Sequence, residues 1–262
     1  MSFSLLLKTY TKFYLKTKRF TVMLPLYILI SMATPLLIAK GIVPKPADVY
    51  SFTTQTLGGV SDDVLLVAAV LVGDAISQDY SLQGYFTLTQ PVSRLQLMLS
   101  RYISSFIGVC IIMVATFAVG IGFSYYLYGS VVGDIGEILA LTILFAASLT
   151  MFVMMFSSLF RTQSLSIVVS ILAVVVAMPL IEGVVVFLSH VEPWFLITYA
   201  ASAISDLAMK SYPAHYTLAM LGTRKLYSYQ PTVPEASLIM LGYLIVAGVI
   251  AYAVYVRREL KN

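Results

Sequence analysis

Few side chains in this sequence are able to carry chemistry. Glu182 lies inside a long apolar run, and a carboxylate at membrane depth is a functional candidate because burying its charge is costly. Met151, Met154 and Met155 recur at helical spacing in another apolar run. Thioethers bind copper(I), although methionine more commonly fills gaps in a core. For Glu182 a structural or snorkelling role and a pathway or gating role both stay open, and we expect packing for the methionines.

Sequence signatures of catalysis and metal binding are absent. No Ser-His-Asp set, HExxH motif or pair of catalytic carboxylates stands at a readable spacing, and His190 and His215 are isolated along the chain. Cys110 is the single cysteine, so no intramolecular disulfide is possible. The sequence has no Gly-x-x-x-x-Gly-Lys-Ser/Thr phosphate loop. It therefore predicts no enzyme, no cofactor-binding residue and no metal site.

The composition is that of a membrane protein. Of 262 residues, 60% are hydrophobic and 11% are charged, against roughly 25% charged in soluble domains. The mean hydropathy is +0.92. So few charges cannot cover the surface of a soluble domain. This excludes a soluble globular protein, a disordered chain and an ordinary basic nucleic-acid-binding protein, and it favours an all-α polytopic membrane protein in the lipid bilayer.

Hydropathy windows of about 19 residues predict six spanning helices in one transmembrane domain, residues 1–262. The predicted spans are 20–39, 60–77, 103–128, 138–160, 165–189 and 236–256. The apolar stretch 194–209 is placed outside the bilayer core, because a seventh span would move one of the two basic ends to the outer side.

The charges give the orientation. With both termini cytoplasmic, 11 of the 16 Lys and Arg residues and three acids lie inside, whereas five bases and eight acids lie outside. Cytoplasmic loops carry an excess of Lys and Arg. The sequence therefore predicts a multi-pass protein of the cell membrane with both termini in the cytoplasm.

Three acids lie near the ends of the second predicted span. Asp62 and Asp63 open it at the outer face, where negative charge suits a helix N-terminus; attraction of cations is the alternative. Asp74 lies near the inner end, where it could anchor the span to Arg94 or Arg101.

The N-terminal segment, 1–19, has the spacing of an amphipathic helix. Its apolar residues follow i, i+3, i+4 and i+7, and Lys8, Lys12 and Lys16 lie on the opposite face. Such a helix lies in the cytoplasmic interface of the membrane. It is either a general anchor or an elbow that leads into the first span and packs on neighbouring helices.

The region 78–102, between the second and third spans, is longer than a simple turn. Apolar residues at helical spacing end at Pro91, which stops a helix, and Ser93 can cap the next one. We expect a short helix along the cytoplasmic surface, then a second helix that starts at Arg94 and rises into the third span. A surface helix that presents aromatic side chains indicates a protein partner, and a solvated loop helix is the alternative.

The run Pro91–Arg94, followed by Leu97 and Arg101-Tyr102, resembles the cytoplasmic loop of ABC type-2 permeases, the membrane subunits of ATP-driven exporters. The resemblance extends to the amphipathic start, six spans, a long outer segment and a basic C-terminal end. The loop departs from the family pattern in two places. Asp79 stands nearly alone where the family often has several Glu, and Gly84 precedes Tyr rather than Thr.

The resemblance implies a transport subunit that moves a substrate outward. Residues 79–89 would be a coupling helix seated in a separate ABC ATPase, with the turn at Arg161 as a smaller contact. The implied ATPase-coupling residues are Asp79, Tyr80, Leu82, Gln83, Tyr85, Phe86, Thr89, Pro91, Arg94 and Arg161. ATP and Mg²⁺ would bind the ATPase, expected in two copies, and this chain would bind no cofactor. A second permease copy or a paralogue would complete the pathway, with no nucleic acid involved.

The outer segment, 190–235, is rich in aromatic residues and is divided by prolines. An interfacial aromatic belt explains most of them. The family implies instead short re-entrant helices that gate release, with Glu182, Trp194, Phe195 and Tyr199 as pathway or gate residues. Drug, peptide, lipid, glycan and ion cargoes all stay open. The alternative functions are a membrane-embedded enzyme, a secondary carrier, or a permease for copper-site assembly.

Overall fold

The computed structural model describes residues 3–80, 92–221 and 224–257. Its helices are α1 (Phe3–Leu15), α2 (Lys18–Ala39), α3 (Val49–Leu57), α4 (Val60–Val72), α5 (Arg94–Tyr128), α6 (Ile135–Leu159), α7 (Gln163–Ser189), α8 (Ile197–Leu207) and α9 (Val233–Arg257). A 3-10 helix, Ser77–Tyr80, follows α4, and α7 contains two π-helical stretches. Strands β1 (Tyr216–Leu221) and β2 (Arg224–Tyr229) pair antiparallel. The described chain is predominantly helical, in agreement with the predicted all-α membrane class, and the outer segment adds this short hairpin, whose tyrosines favour strands.

Five helices of the described chain, α2, α5, α6, α7 and α9, are long and apolar enough to cross a membrane. The predicted range 60–77 is occupied instead by α4 and the turn after it. With 13 residues, α4 is about 20 Å long, which is shorter than the hydrocarbon core of about 30 Å. Gly58 and Gly59 separate it from α3, so the chain between the first and third predicted spans is a broken helix.

Side-chain caps fix where several helices begin. Thr17 accepts a hydrogen bond from the backbone N–H of Phe20 at the start of α2. Ser93 accepts one from Gln96 at the start of α5, which confirms the predicted cap. Thr232 and Glu235 form a reciprocal capping box at the start of α9. These caps satisfy backbone donors that a helix terminus leaves unpaired.

Helix α6 is the centre of the packed domain. It contacts α4, α5, α8 and α9, and α9 lies along much of its length. Most of the apolar window of α6 is buried, whereas α2, α7 and α9 bury less than a fifth of theirs. Helices α2, α7 and α9 therefore present apolar surface to lipid or to another membrane chain. Helix α1 packs along α5 and brings the N-terminal segment to the end of the domain where α5 begins.

Candidate functional site

The segment between α4 and the 3-10 helix, residues 73–76, is a buried turn held by two serines. The Ser157 hydroxyl oxygen in α6 accepts hydrogen bonds from the backbone N–H groups of Ile76, at 2.9 Å, and Ser77, at 3.1 Å. Ser166 in α7 donates its hydroxyl to the Gly73 carbonyl. Backbone groups that leave a helix inside a membrane domain need such partners. Helices α6 and α7 thus fix the point at which the chain leaves the core toward residue 80.

A buried charge pair follows this turn. The Asp79 carboxylate pairs with the Arg101 guanidinium of α5 and accepts a 2.8 Å hydrogen bond from the Tyr255 hydroxyl of α9. Asp79 and Tyr255 are fully buried, and Arg101 is 5% exposed. Burial raises the pKa of Asp79, while Arg101 and Tyr255 oppose that shift because they stabilise the carboxylate. Removing one partner of such a pair leaves a costly uncompensated charge. These contacts therefore hold the 3-10 helix, α5 and α9 together.

Helix α1 joins the same cluster. The Arg101 guanidinium lies 5.1 Å from the centre of the Tyr10 ring, and its Nη2 is 3.4 Å from the Tyr10 hydroxyl. Arg101 also donates to the carbonyl of Ala75 in the buried turn. The hydroxyls of Thr11 and Ser104 are 3.0 Å apart. We call Tyr10, Asp79, Arg101 and Tyr255 the buried cluster; it connects α1, the end of the α4 region, α5 and α9.

Asp74 has a different partner from the predicted Arg94 or Arg101. Its carboxylate lies 2.8 Å from Nη1 of Arg19 at the start of α2, so the predicted pairing is wrong. Arg101 is instead occupied by Asp79. The Asp74 side chain is 2% exposed and that of Arg19 is 41% exposed. This second ion pair ties the first span to the end of α4, next to the buried cluster.

Four of the ten predicted ATPase-coupling residues lie in the described chain. Asp79 is buried, Arg94 lies at the start of α5 with its guanidinium 5.3 Å from the centre of the Tyr255 ring, and Arg161 is exposed between α6 and α7. Tyr80 ends the 3-10 helix. The remaining predicted residues lie outside the described chain: Leu82, Gln83, Tyr85, Phe86, Thr89 and Pro91. Of the predicted coupling segment, residues 79–89, the described chain therefore contains only Asp79 and Tyr80.

Two of the predicted pathway or gate residues lie together. Glu182 of α7 accepts a 2.6 Å hydrogen bond from the Thr198 hydroxyl of α8. Tyr199, which is almost fully buried, donates a 2.6 Å hydrogen bond to Glu192. Glu182 and Tyr199 both line a cavity of about 440 Å³ between α7, α8 and the hairpin. The carboxylate of Glu182 therefore has a polar partner and a path to this cavity.

Trp194 and Phe195 lie elsewhere. Their side chains are 64% and 43% exposed and line a separate apolar cavity of about 540 Å³ against α6 and α9. The Tyr243 hydroxyl of α9 donates to the carbonyl of Phe195 at 2.8 Å. The predicted gate set is therefore divided between two cavities of the outer segment.

The outer segment contains one group of described residues able to hold a metal ion. Glu192, His215 and Glu235 each place a donor atom within 4.8 Å of the others. Nε2 of His215 is 3.5 Å from Glu192, and its Nδ1 is 2.7 Å from the Gln230 carbonyl. His215 is therefore not isolated, because the hairpin brings it between acids distant in sequence. Both carboxylates already accept hydrogen bonds, from Tyr199 and from Thr232, so the group also connects the outer elements.

The methionine cluster packs in the core. Met154 is fully buried and Met151 is 6% exposed. A Cβ added at Gly248 of α9 would lie 3.6 Å from the Met151 sulfur, so Met151 fills the space that this glycine leaves between α6 and α9. This contact fits the packing role expected of the methionines.

The sequence alone does not predict Tyr10, Tyr255 or Ser157 as parts of the site. Two of them carried a signal. Tyr10 belongs to the aromatic face of the amphipathic helix, and Tyr255 lies two residues before the basic end of α9. Ser157 lies in an apolar run with several other serines, and nothing in the sequence distinguishes it from them.

Comparison with known proteins gives one family. A family model described as "ABC-2 family transporter protein" matches residues 66–260. The matched range begins inside α4 and includes the buried turn, three of the four residues of the buried cluster, and the outer segment. No curated protein matches the chain significantly.

Proposed function

The chain belongs to the ABC-2 transporter family, and from this premise we propose that it is the permease subunit of an ATP-binding cassette exporter. A separate ATPase chain, in two copies, would hydrolyse ATP with Mg²⁺. A second permease copy or a paralogue would enclose the pathway with this chain. The permease would move its substrate outward across the cell membrane.

The observation that carries this proposal is the buried cluster at the base of the predicted coupling segment. The residues that follow Asp79, up to residue 89, would contact the ATPase, and Asp79 itself is fully buried and bonded to Arg101 of α5 and Tyr255 of α9. Ser157 and Ser166 connect the preceding turn to α6 and α7. A displacement of the segment would therefore act on four spanning helices through packed polar contacts, which is what mechanical coupling requires.

The proposed topology has six spans and two cytoplasmic termini. The second span would be α4, extended by α3 across the Gly58-Gly59 break. Helix α1 would lie in the cytoplasmic interface as an elbow, because Tyr10 contacts Arg101 while the lysines of α1 stay on its other face. The distribution of Lys and Arg supports this orientation.

The outer segment would gate release of the substrate. Helix α8 is 11 residues long, too short to span a bilayer, and it is bonded to α7 through Glu182 and Thr198. Movement of α7 would therefore displace α8 and the cavity that Glu182 lines.

The proposal requires that a neighbouring open reading frame encode a Walker-motif ATPase, and co-purification of this chain with that ATPase tests it directly. The double variant Tyr85→Ala plus Phe86→Ala removes two aromatic side chains from the predicted coupling segment. We expect it to lose the complex, because aromatic anchors contribute most of the binding energy at such interfaces.

Trp194→Ala is the matched control. It also removes an exposed aromatic side chain, 64% exposed, but from the outer segment, and it should leave the complex intact. If the double variant still binds the ATPase and supports ATP hydrolysis as the unmodified chain does, the coupling assignment is wrong.

A further inference from the structure

A polar cavity of about 200 Å³ lies between α2, the α3–α4 break and α5. Its position on α2 is toward the end that the proposed topology places outside. Six polar residues contribute to its lining: Ser31, Thr34, Gln55, Thr56, Asp63 and Thr116. This concentration of polar groups is unusual in a domain that is 60% hydrophobic, because polar groups at membrane depth usually mark a pathway or a binding site.

Three of the four hydroxyl groups of the lining are arranged as hydrogen-bond acceptors. Ser31 donates to a carbonyl of α2 at 2.5 Å, Thr56 to one of α3 at 2.9 Å, and Thr116 to one of α5 at 2.7 Å. Each hydroxyl proton is thus used within its own helix, while the oxygen keeps lone pairs. These three oxygens offer acceptors, and the Gln55 amide offers both an acceptor and N–H donors. With the Asp63 carboxylate, the lining as a whole favours a cation or an N–H donor over an anion.

Asp63 adds a carboxylate that forms no ion pair with any residue the structure describes. Lys45, an outer base, is bonded to the carbonyl of Leu127 and lies over the Tyr128 ring. An unpaired carboxylate in a partly buried site is costly, and a bound cation would remove that cost.

We propose that this cavity, the Asp63 pocket, binds the ammonium group of an organic cation and is a cargo site of the permease. The volume of about 200 Å³ is smaller than a drug-sized pocket, which is about 300–1,000 Å³, and suits a head group rather than a whole drug. Apolar side chains of Ile30 and Leu57 complete the lining and suit methyl or methylene groups around the nitrogen. The cargo role rests on the proposed transport function, whereas the binding does not.

Choline and its neutral isostere 3,3-dimethyl-1-butanol test the pocket. The two molecules differ in one central atom, nitrogen in place of carbon, and therefore in charge. We expect radiolabelled choline to bind saturably to the purified permease in nanodiscs. The neutral isostere should fail to compete, because it lacks the charge that Asp63 attracts.

Variants at two neighbouring acids supply the control. Asp63→Asn should weaken choline binding about ten-fold or more, the usual effect of losing a charged contact. Asp62→Asn makes the same charge change, but Asp62 is exposed and lies outside the lining. The affinity of this variant for choline should therefore stay within about two-fold of that of the unmodified chain. Thr116→Val keeps the shape of Thr116, removes an acceptor and should weaken binding moderately. This variant tests the pocket even if Asp63→Asn folds poorly.

Three results would overturn the proposal: no saturable choline binding, equal competition by the neutral isostere, or equal losses in Asp62→Asn and Asp63→Asn. The assay uses the permease without its ATPase. Loss of choline binding therefore counts against the Asp63 pocket alone, and loss of ATPase binding in the Tyr85 and Phe86 variant counts against the transport proposal alone.

Discussion

Replacing Tyr255 with Phe removes one hydroxyl from the buried cluster and keeps the ring. The side chain is fully buried, and its hydroxyl donates to Asp79 at 2.8 Å. A hydrogen bond to a charged group contributes about 1.5–3 kcal/mol. Arg101 still neutralises Asp79 in the variant, so we expect a loss near the middle of that range, about 2 kcal/mol. For a domain of this size that loss lowers the melting temperature by about 4–8 °C.

Thermal unfolding of the detergent-purified chain measures this effect. Tyr252→Phe is the matched control, because the same hydroxyl is removed from the same helix at a side chain that is 38% exposed. It should change the melting temperature by less than about 2 °C. In an Asp79→Asn background the effect of Tyr255→Phe should shrink, since the charge that strengthens the bond is gone. Equal shifts in the two tyrosine variants would refute the role of the buried cluster.

Three further predictions concern other polar contacts. Ser157→Ala leaves two buried backbone N–H groups without their acceptor and should cost about 2 kcal/mol in unfolding experiments, whereas Ser148→Ala, which loses a bond within its own helix, should be nearly neutral. Burial raises the pKa of Asp206 in α8. Above that pKa the buried carboxylate is charged and lowers the stability of the folded chain. This cost disappears as the pH falls below the pKa of Asp206 in the unfolded chain, about 3.9. Asp206→Asn should therefore raise the melting temperature at about pH 8 and leave it nearly unchanged at about pH 4, and a gain at both pH values would contradict this. Glu182→Gln keeps an acceptor for the Thr198 hydroxyl and Glu182→Leu does not, so only the second should lower the melting temperature, by about 4 °C; equal effects would exclude the hydrogen bond as the cause.

Features that depend on local sequence were predictable. The cap at Ser93 and the start of α5 at Arg94 follow from residues within one helical turn of the boundary. The amphipathic spacing of α1 predicted a helix there, and the structure has one at Phe3–Leu15. Long apolar runs identified the helices that can cross a membrane, because length and hydropathy are read directly from the chain.

Features that depend on the meeting of distant segments were not predictable. Asp74 pairs with Arg19 rather than with Arg94 or Arg101, because the choice among several arginines depends on how α2 and α4 pack. The hairpin places His215 beside Glu192 and Glu235, although these residues are 20 or more positions apart. The end of α4 at Val72, before the predicted residue 77, coincides with a turn whose backbone groups bond to serines of α6 and α7, and hydropathy does not report such partners.

ATP turnover of the reconstituted permease–ATPase complex tests the central claim most directly. Tyr255 lies outside the predicted ATPase contact, so complexes with Tyr255→Phe should form in normal yield. The permease changes the rate at which the ATPase turns over ATP. In the Tyr255→Phe complex this change should be smaller by about five-fold or more, because a contact between the coupling segment and α9 is lost. The Tyr252→Phe complex should behave as the unmodified one. Normal turnover in the Tyr255→Phe complex would contradict the claim that the buried cluster transmits ATPase movement to the spanning helices.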